Sequence, residues 1–183
     1  MPTSPSRILR AVAFAADRHR FQRRKDDASS PYINHPIEVA ELLVIEAGVD
    51  DETTLIAALL HDTVEDTETT IEEIRELFGP AVAAVVAEVT DDTTLPRQER
   101  RRIQLERAGG VSREAKLVKI ADKISNIRDV ASRPPTGWSL ERRREYVLWA
   151  ASVARECAGI VPRLDELAEK ELARAVATID ARV

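Results

Sequence analysis

The chain has 183 residues, which fits one domain spanning residues 1–183, and its 44% hydrophobic and 32% charged residues are typical of a globular protein with a real core. The formal net charge of −5 argues against sequence-independent nucleic-acid binding, because such binding needs a basic face. No apolar run reaches the ~20 residues of a membrane span, and a single cysteine, Cys157, excludes an internal disulfide, so we expect a cytoplasmic protein without nucleic-acid or membrane partners.

Apolar residues recur at helical spacing along the whole chain, and no segment alternates strictly between apolar and polar residues. This pattern predicts an all-α fold, a helical bundle of about eight to ten helices. The predicted helices cover residues 4–22, 35–47, 51–63, 70–78, 80–91, 96–108, 112–132, 139–158 and 162–181. The longest irregular stretch, residues 23–34, is polar and basic, and long loops in compact domains often carry function.

Residues that favour helix ends support these boundaries. Thr70 begins a capping-box pattern, Gly79 is suited to end a helix, and Pro80 can open the next one. Ser112 and Ser139 each follow a turn and are good N-caps. We therefore expect helices to begin directly after Thr70, Ser112 and Ser139.

Four titratable groups follow an apolar run in the segment His61-Asp62-Thr63-Val64-Glu65-Asp66. If the helix continues, His61 and Glu65 lie one turn apart, as do Asp62 and Asp66. If it ends near Thr63, the carboxylates line the following turn. Either arrangement crowds like charges, which is costly when buried unless a cation compensates them.

Further metal ligands would have to come from elsewhere in the chain. His35 begins the helix after the basic loop, and Asp122 lies within an apolar helix, where it is either a ligand or the ion-pair partner of a neighbouring lysine. Together with His61 and Asp62 they form a mixed nitrogen and oxygen set, which suits Mn²⁺, Fe²⁺ or Zn²⁺. The third histidine, His19, stands between two arginines and is expected to be a solvated surface residue.

A separate His, then His-Asp, then a distant Asp is the pattern of the HD superfamily. Four segments also resemble the small alarmone hydrolases, stand-alone relatives of the hydrolase domain of the Rel/SpoT enzymes; they are residues 32–36, 58–66, 89–92 and 116–123. The resemblance covers about residues 7–158. It implies an HD-domain helical bundle that hydrolyses the 3′-pyrophosphate of (p)ppGpp, a small nucleotide, with Mn²⁺ as the metal. Bifunctional relatives carry a synthetase domain downstream, so we expect a chain that only degrades.

The resemblance also implies roles for individual residues. It makes His35, His61, Asp62 and Asp122 the metal ligands, and it assigns Glu65 and Asp66 to catalysis without dividing the acid and base roles. The expected substrate-binding residues are Arg24, Lys25, Tyr32, Arg97, Asn126, Arg142 and Tyr146.

Two positions depart from the pattern of the family. Ser125 stands where relatives usually have a larger Tyr or His, and Arg97 stands where close relatives tend to have Lys. We expect neither residue to contact the metal ligands. Both would instead alter the wall of the pocket, and with it the preference among nucleotides.

Other functions stay open at this stage. The same metal site would serve an HD phosphohydrolase acting on another nucleotide, such as (p)ppApp or the 2′-phosphate of NADPH. A catalytically silent nucleotide-binding module is disfavoured, because every ligand position is present. A binuclear HD phosphodiesterase is disfavoured too, because it needs additional histidines and only His19 remains. The sequence leaves the physiological metal and a homo-oligomeric state open.

Overall fold

Ten α-helices and one π-helical turn make up most of this computed structural model, which describes residues 4–181. The helices are α1 (Pro5–Arg18), α2 (Asn34–Glu41), α3 (Glu52–Leu60), α4 (Thr63–Asp66), α5 (Ile71–Phe78), α6 (Pro80–Val89), α7 (Arg97–Ala108), α8 (Arg113–Ser132), α9 (Leu140–Cys157) and α10 (Pro162–Asp180), and the π-helical turn Leu42–Glu46 continues α2. Within residues 4–181 the only β-type pairing is an isolated antiparallel bridge between Arg23 and Pro31. The predicted all-α fold is therefore confirmed.

The predicted helix ends agree with the observed caps. The side chain of Thr70 accepts a hydrogen bond from the backbone N–H of Glu73, and Ser112 and Ser139 cap α8 and α9 in the same way. Gly79 separates α5 from α6 with φ of 95°, a conformation that favours glycine. These local interactions are short in sequence, which is why the residue pattern predicts them.

Two predicted helices end three or four residues earlier than expected. The helix expected over residues 4–22 stops at Arg18, where the chain turns and Gln22 N–H donates to the carbonyl of His19 at 2.9 Å. The helix expected over residues 51–63 ends at Leu60, whose carbonyl accepts the Thr63 hydroxyl at 2.6 Å. A turn at residues 61–62 then leads into α4, so His61 and Asp62 lie at a helix junction.

Helix α8 is buried along most of its length and packs against α2, α3, α6, α9 and α10. One core cluster joins α8 to α1, α2, α3, α5 and α6, to the end of α7 and α9 and to the start of α10, and a second joins the later part of α8 to α9 and α10. Leu, Ile, Val and Ala dominate both clusters, as the low aromatic content of the sequence predicts. Among the helices of residues 4–181, none combines the length and the apolar character that crossing a bilayer requires. The packing brings the start of α2, the end of α3 and the middle of α8 together.

Candidate active site

Two histidines and two carboxylates converge where α2, α3 and α8 meet. The Nε2 atom of His35 lies 3.1 Å from Oδ1 of Asp122 and 3.7 Å from Oδ2 of Asp62. The Nε2 atom of His61 lies 3.1 Å from Oδ2 of Asp62 and 3.8 Å from Oδ1 of Asp122. His35, His61 and Asp62 each offer one ligand atom within 4.8 Å of the others. Both imidazoles thus aim the same nitrogen between the two carboxylates.

The other nitrogen of each imidazole, Nδ1, lies within hydrogen-bond distance of an oxygen atom. Nδ1 of His61 lies 2.7 Å from the carbonyl oxygen of Ala58, so it carries the proton, and Nε2 is left with a free lone pair in the neutral ring. That Nε2 is buried and has no hydrogen-bond partner among the described residues. Nδ1 of His35 lies 3.1 Å from the hydroxyl of Ser125. An imidazole held in this way is prepared to bind a metal ion, so the residues present fit a divalent cation.

The charges of the cluster stabilise one another. Burial disfavours the His61 cation, yet Asp62 and Asp122 outweigh it and raise the pKa of His61 to about 9. His61 is therefore protonated at neutral pH when no cation is bound, and a metal ion at Nε2 would have to replace that proton. Burial likewise opposes ionisation of Asp62, but His61 and His35 hold the pKa of Asp62 below its usual range. The pKa of Asp122 is lowered against burial mainly by Lys123, whose Nζ lies 2.8 Å from Oδ2 of Asp122. Both carboxylates are therefore ionised at neutral pH and suited to bind a cation.

Asp122 combines the two interactions that the sequence left open. One carboxylate oxygen faces His35 and also accepts the Asn126 side-chain amide at 2.5 Å, while the other pairs with Lys123. The carboxylate is thus both part of the cluster and the ion-pair partner of a buried lysine. Its role as a fourth ligand stays a prediction.

The acidic pair lies on the short helix α4, directly after the metal candidates. The carboxylate of Glu65 accepts hydrogen bonds from Arg100 and from the backbone N–H of Asp91, both at 3.2 Å. Burial and the charges of Asp91 and Asp62 nevertheless raise the pKa of Glu65 to about 7. Asp66 is exposed and accepts a hydrogen bond from the side-chain amide of Gln22 at 2.9 Å.

A cavity of about 600 Å³ opens above the cluster, and α7, α8, α9 and the loop before α2 form its walls. All seven residues expected to bind substrate line it: Arg24, Lys25, Tyr32, Arg97, Asn126, Arg142 and Tyr146. The far wall combines cations with aromatic rings. The guanidinium of Arg142 lies 4.3 Å from the ring centre of Trp138, and that of Arg101 lies 4.7 Å from Trp149. Such a cavity suits a ligand with a flat ring and several negative charges.

Arg24 and Tyr32, like Asn126, are expected substrate residues that also form hydrogen bonds within the protein. Arg24 pairs with Asp129 of α8, and burial of the guanidinium is outweighed by that carboxylate, which raises the pKa of Arg24. The hydroxyl of Tyr32 donates to Oδ2 of Asp62 at 2.6 Å. These contacts fix the basic loop against the metal cluster.

Two expectations about neighbouring residues are wrong. His19 is not a solvated surface residue, because α1 ends beside it and only 1% of it is exposed. Ser125 does contact the candidate metal ligands, because its hydroxyl lies behind His35 on the buried face of α8. In both cases the flanking charges or the family pattern suggested a wall or surface position, whereas tertiary packing turns the side chain inward.

Several residues that line the cavity were not assigned from the sequence, among them Gln22, Asp91, Arg100 and Lys119. Asp91 belongs to a segment that resembles the family, so its position gave a signal. Lys119 gave one too, because it lies one turn before Lys123 on the same apolar helix. Arg100 gave one as part of the cluster of arginines at the start of a predicted helix, whereas Gln22 gave none, since it lies among other polar residues.

Comparison with known proteins gives consistent results over most of the chain. A family model described as HD domain matches residues 11–151. The guanosine-3′,5′-bis(diphosphate) 3′-pyrophosphohydrolase MESH1 of Mus musculus is 52% identical over 166 residues, which is 91% of this chain and 93% of that protein. An Aquifex aeolicus guanosine-3′,5′-bis(diphosphate) 3′-pyrophosphohydrolase is 42% identical over 130 residues, 69% of this chain and 18% of that protein. A solved structure described as a metazoan ortholog of SpoT that hydrolyzes ppGpp has a TM-score of 0.90 and 43% identity, and it covers 95% of this chain and 98% of its own.

Proposed function

The chain belongs to the HD domain family, and on this premise we propose that it hydrolyses the 3′-pyrophosphate of (p)ppGpp, giving GDP or GTP and pyrophosphate. The resemblance to small alarmone hydrolases inferred from the sequence is confirmed. The observation that carries the proposal is the convergence of His35, His61 and Asp62 at the floor of a cation-lined cavity. Relatives at about 50% identity over nine tenths of the chain bear this activity in their names.

We propose His35, His61, Asp62 and Asp122 as ligands of one divalent cation, with Mn²⁺ as the metal. Two imidazole nitrogens and two carboxylates suit Mn²⁺, and the orphaned Nε2 of His61 gains a partner when the ion binds. A bound cation supplies Lewis-acid chemistry, since it lowers the pKa of water and polarises the phosphoryl group. Lys123 and Asn126 hold Asp122 in place for this purpose.

Glu65 and Asp66 are proposed to handle the protons of the reaction. Water attacks the phosphorus that is bonded to the ribose 3′ oxygen. The bond between this phosphorus and the 3′ oxygen breaks, and pyrophosphate leaves the nucleotide. A carboxylate takes the proton that water loses, and the 3′ oxygen gains one. With a pKa of about 7, Glu65 can hold or release a proton at neutral pH. Asp66 is exposed to the cavity and oriented by Gln22, so it can position the attacking water.

The cavity walls are proposed to bind the rest of the nucleotide. Lys25, Arg97 and Arg142 are exposed cations at the rim that can offset the phosphate charges. Tyr146 and Trp138 lie 5.5 Å apart by ring centres and offer a surface for the base or the ribose. Arg24 and Tyr32 hold the basic loop, residues 23–34, next to the cavity, and the side chains of both residues line the cavity as well.

We further propose that residues 1–183 form one HD-type domain, although the first three and last two residues lie outside the described range. Helix α10 supports this, because it packs against α8 and α9 and closes the second core cluster. The cytoplasmic location and the oligomeric state stay predictions.

Release of pyrophosphate from ppGpp tests the proposed function. Purified protein, stripped of metal by a chelator, is assayed with and without added Mn²⁺, for pyrophosphate released from ppGpp, pppGpp and (p)ppApp and for orthophosphate released from the 2′ position of NADPH. We expect Mn²⁺-dependent pyrophosphate release with the highest kcat/KM on a guanosine substrate, and none from Asp62→Ala. A much higher kcat/KM for NADPH would assign the site to a 2′-phosphatase instead. A metal-loaded protein that is inactive on every substrate would favour the alternative of a catalytically silent nucleotide-binding module.

A further inference from the structure

A buried histidine outside the metal cluster connects to the acidic pair. His19 follows the last residue of α1 and is 1% exposed, and its Nδ1 lies 2.6 Å from Oε1 of Gln22. The other end of the same amide, Nε2 of Gln22, donates to Oδ2 of Asp66 at 2.9 Å. His19 and Asp66 are thus linked through one side-chain amide, although they are 47 positions apart in the sequence.

The chemistry of the three groups fixes the direction of each hydrogen bond. An ionised carboxylate only accepts, so Asp66 selects the NH₂ end of the Gln22 amide. The oxygen end then faces His19 and must accept, which requires that Nδ1 of His19 carries a proton. The Nε2 atom of His19 is buried without a hydrogen-bond partner among the described residues. No other described group therefore competes for the orientation of this ring.

The same imidazole also supports a second contact of the site. Its ring centre lies 5.0 Å from that of Tyr32, whose hydroxyl donates to Asp62 at 2.6 Å. The buried ring therefore stands behind the residues that contact two acidic groups, the metal candidate Asp62 and the exposed Asp66. Without this support, an exposed carboxylate such as Asp66 samples several rotamers, and a small displacement of a reacting group lowers the rate steeply.

We propose that His19 is a positioning residue for the hydrolytic reaction and that it acts through Gln22, whose amide holds Asp66 toward the reacting phosphate. The inference rests on the proposed function of Asp66. His19 itself touches neither substrate nor metal in this scheme, so its loss lowers kcat and leaves the affinity for nucleotide nearly unchanged.

A double-mutant cycle tests this role with Mn²⁺-loaded enzyme and ppGpp. We expect His19→Leu and Gln22→Leu each to lower kcat by about 10- to 100-fold, with KM changed less than about 3-fold. The leucine side chain of His19→Leu still fills the space beside Tyr32, so both changes break the same chain of hydrogen bonds, and the double variant should be no slower than Gln22→Leu alone. His19→Asn, whose amide can donate from near the position of Nδ1, should recover part of the lost kcat. Arg20→Ala, at an exposed neighbour that pairs with Asp17, is the matched control and should match the wild type.

Several results would overturn the inference. Additive losses in the double variant, or a rise in KM without a fall in kcat, would show that His19 does not act through Gln22 and Asp66. If His19→Leu fails to fold, Gln22→Glu decides, because it keeps the contact with His19 but places a carboxylate against Asp66. A wild-type kcat for Gln22→Glu contradicts the proposal, and a strong loss with an unchanged Tm supports it.

A second readout does not depend on activity, so it separates failure of this inference from failure of the proposed function. The chain has three histidines, which makes assignment of their ¹⁵N resonances by NMR practical. We expect His19 to carry its proton on Nδ1 in the wild type and its ¹⁵N shifts to change in Gln22→Leu. A protonated Nε2 with a bare Nδ1 excludes the proposed direction of the hydrogen bonds, whatever the substrate.

Discussion

The hydroxyl of Ser125 lies 3.1 Å from Nδ1 of His35, on the side of the imidazole that faces away from the carboxylates. Both residues are buried, so water cannot replace this contact. When the hydroxyl accepts the Nδ1 proton, Nε2 of His35 keeps its lone pair toward Asp62 and Asp122. Ser125 of α8 therefore helps to set the tautomer of His35, a candidate metal ligand.

Removal of this hydroxyl should weaken metal binding. We expect Ser125→Ala to lower the affinity for Mn²⁺ by about 10-fold, since partners behind a metal-binding histidine typically contribute 10- to 100-fold. Isothermal titration of the metal-free protein with Mn²⁺ measures this. Ser152→Ala, at a half-buried serine of α9 that does not line the cavity, is the control and should bind Mn²⁺ as the wild type does. Equal affinities for all three proteins would mean that another group orients His35.

Substitutions of the candidate metal ligands and of the acidic pair should differ in their effect on metal binding. We expect Asp62→Ala to lose both the Mn²⁺-induced rise in Tm and the activity, because it removes a ligand that faces both histidines. Asp66→Asn should keep the rise in Tm but lower kcat by about 100- to 10,000-fold, the range for loss of a proton-transfer group. An Asp66→Asn enzyme with wild-type kcat removes that residue from the mechanism.

Local sequence patterns predicted the helices and much of the site for a physical reason. A cap such as Ser112 or a breaker such as Gly79 acts within a few residues, so its effect is visible in the sequence. The cluster of His35, His61 and Asp62 was also predicted, because its residue types and order match a family pattern. What decides the direction of a single side chain is packing between distant helices.

His19 and Ser125 illustrate the second case. The arginines on both sides of His19 favour a surface position, but α1 ends at Arg18 and the turn brings the imidazole against Tyr32. Ser125 lies on a helix whose buried face contacts α2, and only that contact places its hydroxyl behind His35. Neither relationship has a signal in the spacing of residues along the chain.

Lys25 should contribute to substrate affinity without contributing to stability. Its side chain is exposed at the rim of the cavity, and within residues 4–181 its hydrogen bonds are those that its backbone carbonyl accepts from Thr136. We expect Lys25→Ala to raise KM for ppGpp by about 10-fold, as for loss of one charged hydrogen bond to phosphate, and to leave Tm unchanged.

Arg24→Ala offers the contrast to Lys25→Ala. It should raise KM and lower Tm as well, because Arg24 is the partly buried partner of Asp129. An unchanged KM in both variants would mean that the basic loop does not bind phosphate.

Lys119 should lower the stability of the protein and favour substrate binding. It is 7% exposed on α8 and faces the cavity, and burial together with Lys123 lowers the pKa of Lys119. A depressed lysine pKa means that the fold disfavours the charged form, so at neutral pH the charge destabilises the protein. We expect Lys119→Met to raise Tm by about 2–4 °C and to raise KM for the polyanionic substrate. Lys170→Met, at an exposed site on α10, should change neither, and a lower Tm for Lys119→Met would contradict this account of the buried charge.

The raised pKa of Glu65 should appear as a pH-dependent loss of stability in the metal-free protein. An ordinary glutamate has a pKa near 4.5, and burial with Asp91 and Asp62 raises that of Glu65 to about 7. The folded state therefore holds this proton more tightly than the unfolded state does. Below about pH 4.5 Glu65 does not lower the free energy of unfolding, and it lowers that free energy increasingly as the pH rises toward 8. Glutamine cannot ionise, and it still fits between Arg100 and the backbone of Asp91.

We therefore expect Glu65→Gln to match the wild-type Tm at pH 4.5 and to exceed it by about 3–6 °C at pH 8.5, with a chelator present throughout. Glu68→Gln, at an exposed site shortly after α4, is the control and should show no such widening. Thermal denaturation followed by circular dichroism across this range measures the difference. If the two curves stay parallel, Glu65 titrates as it does in the unfolded chain, and its neighbours do not hold a proton on it at neutral pH.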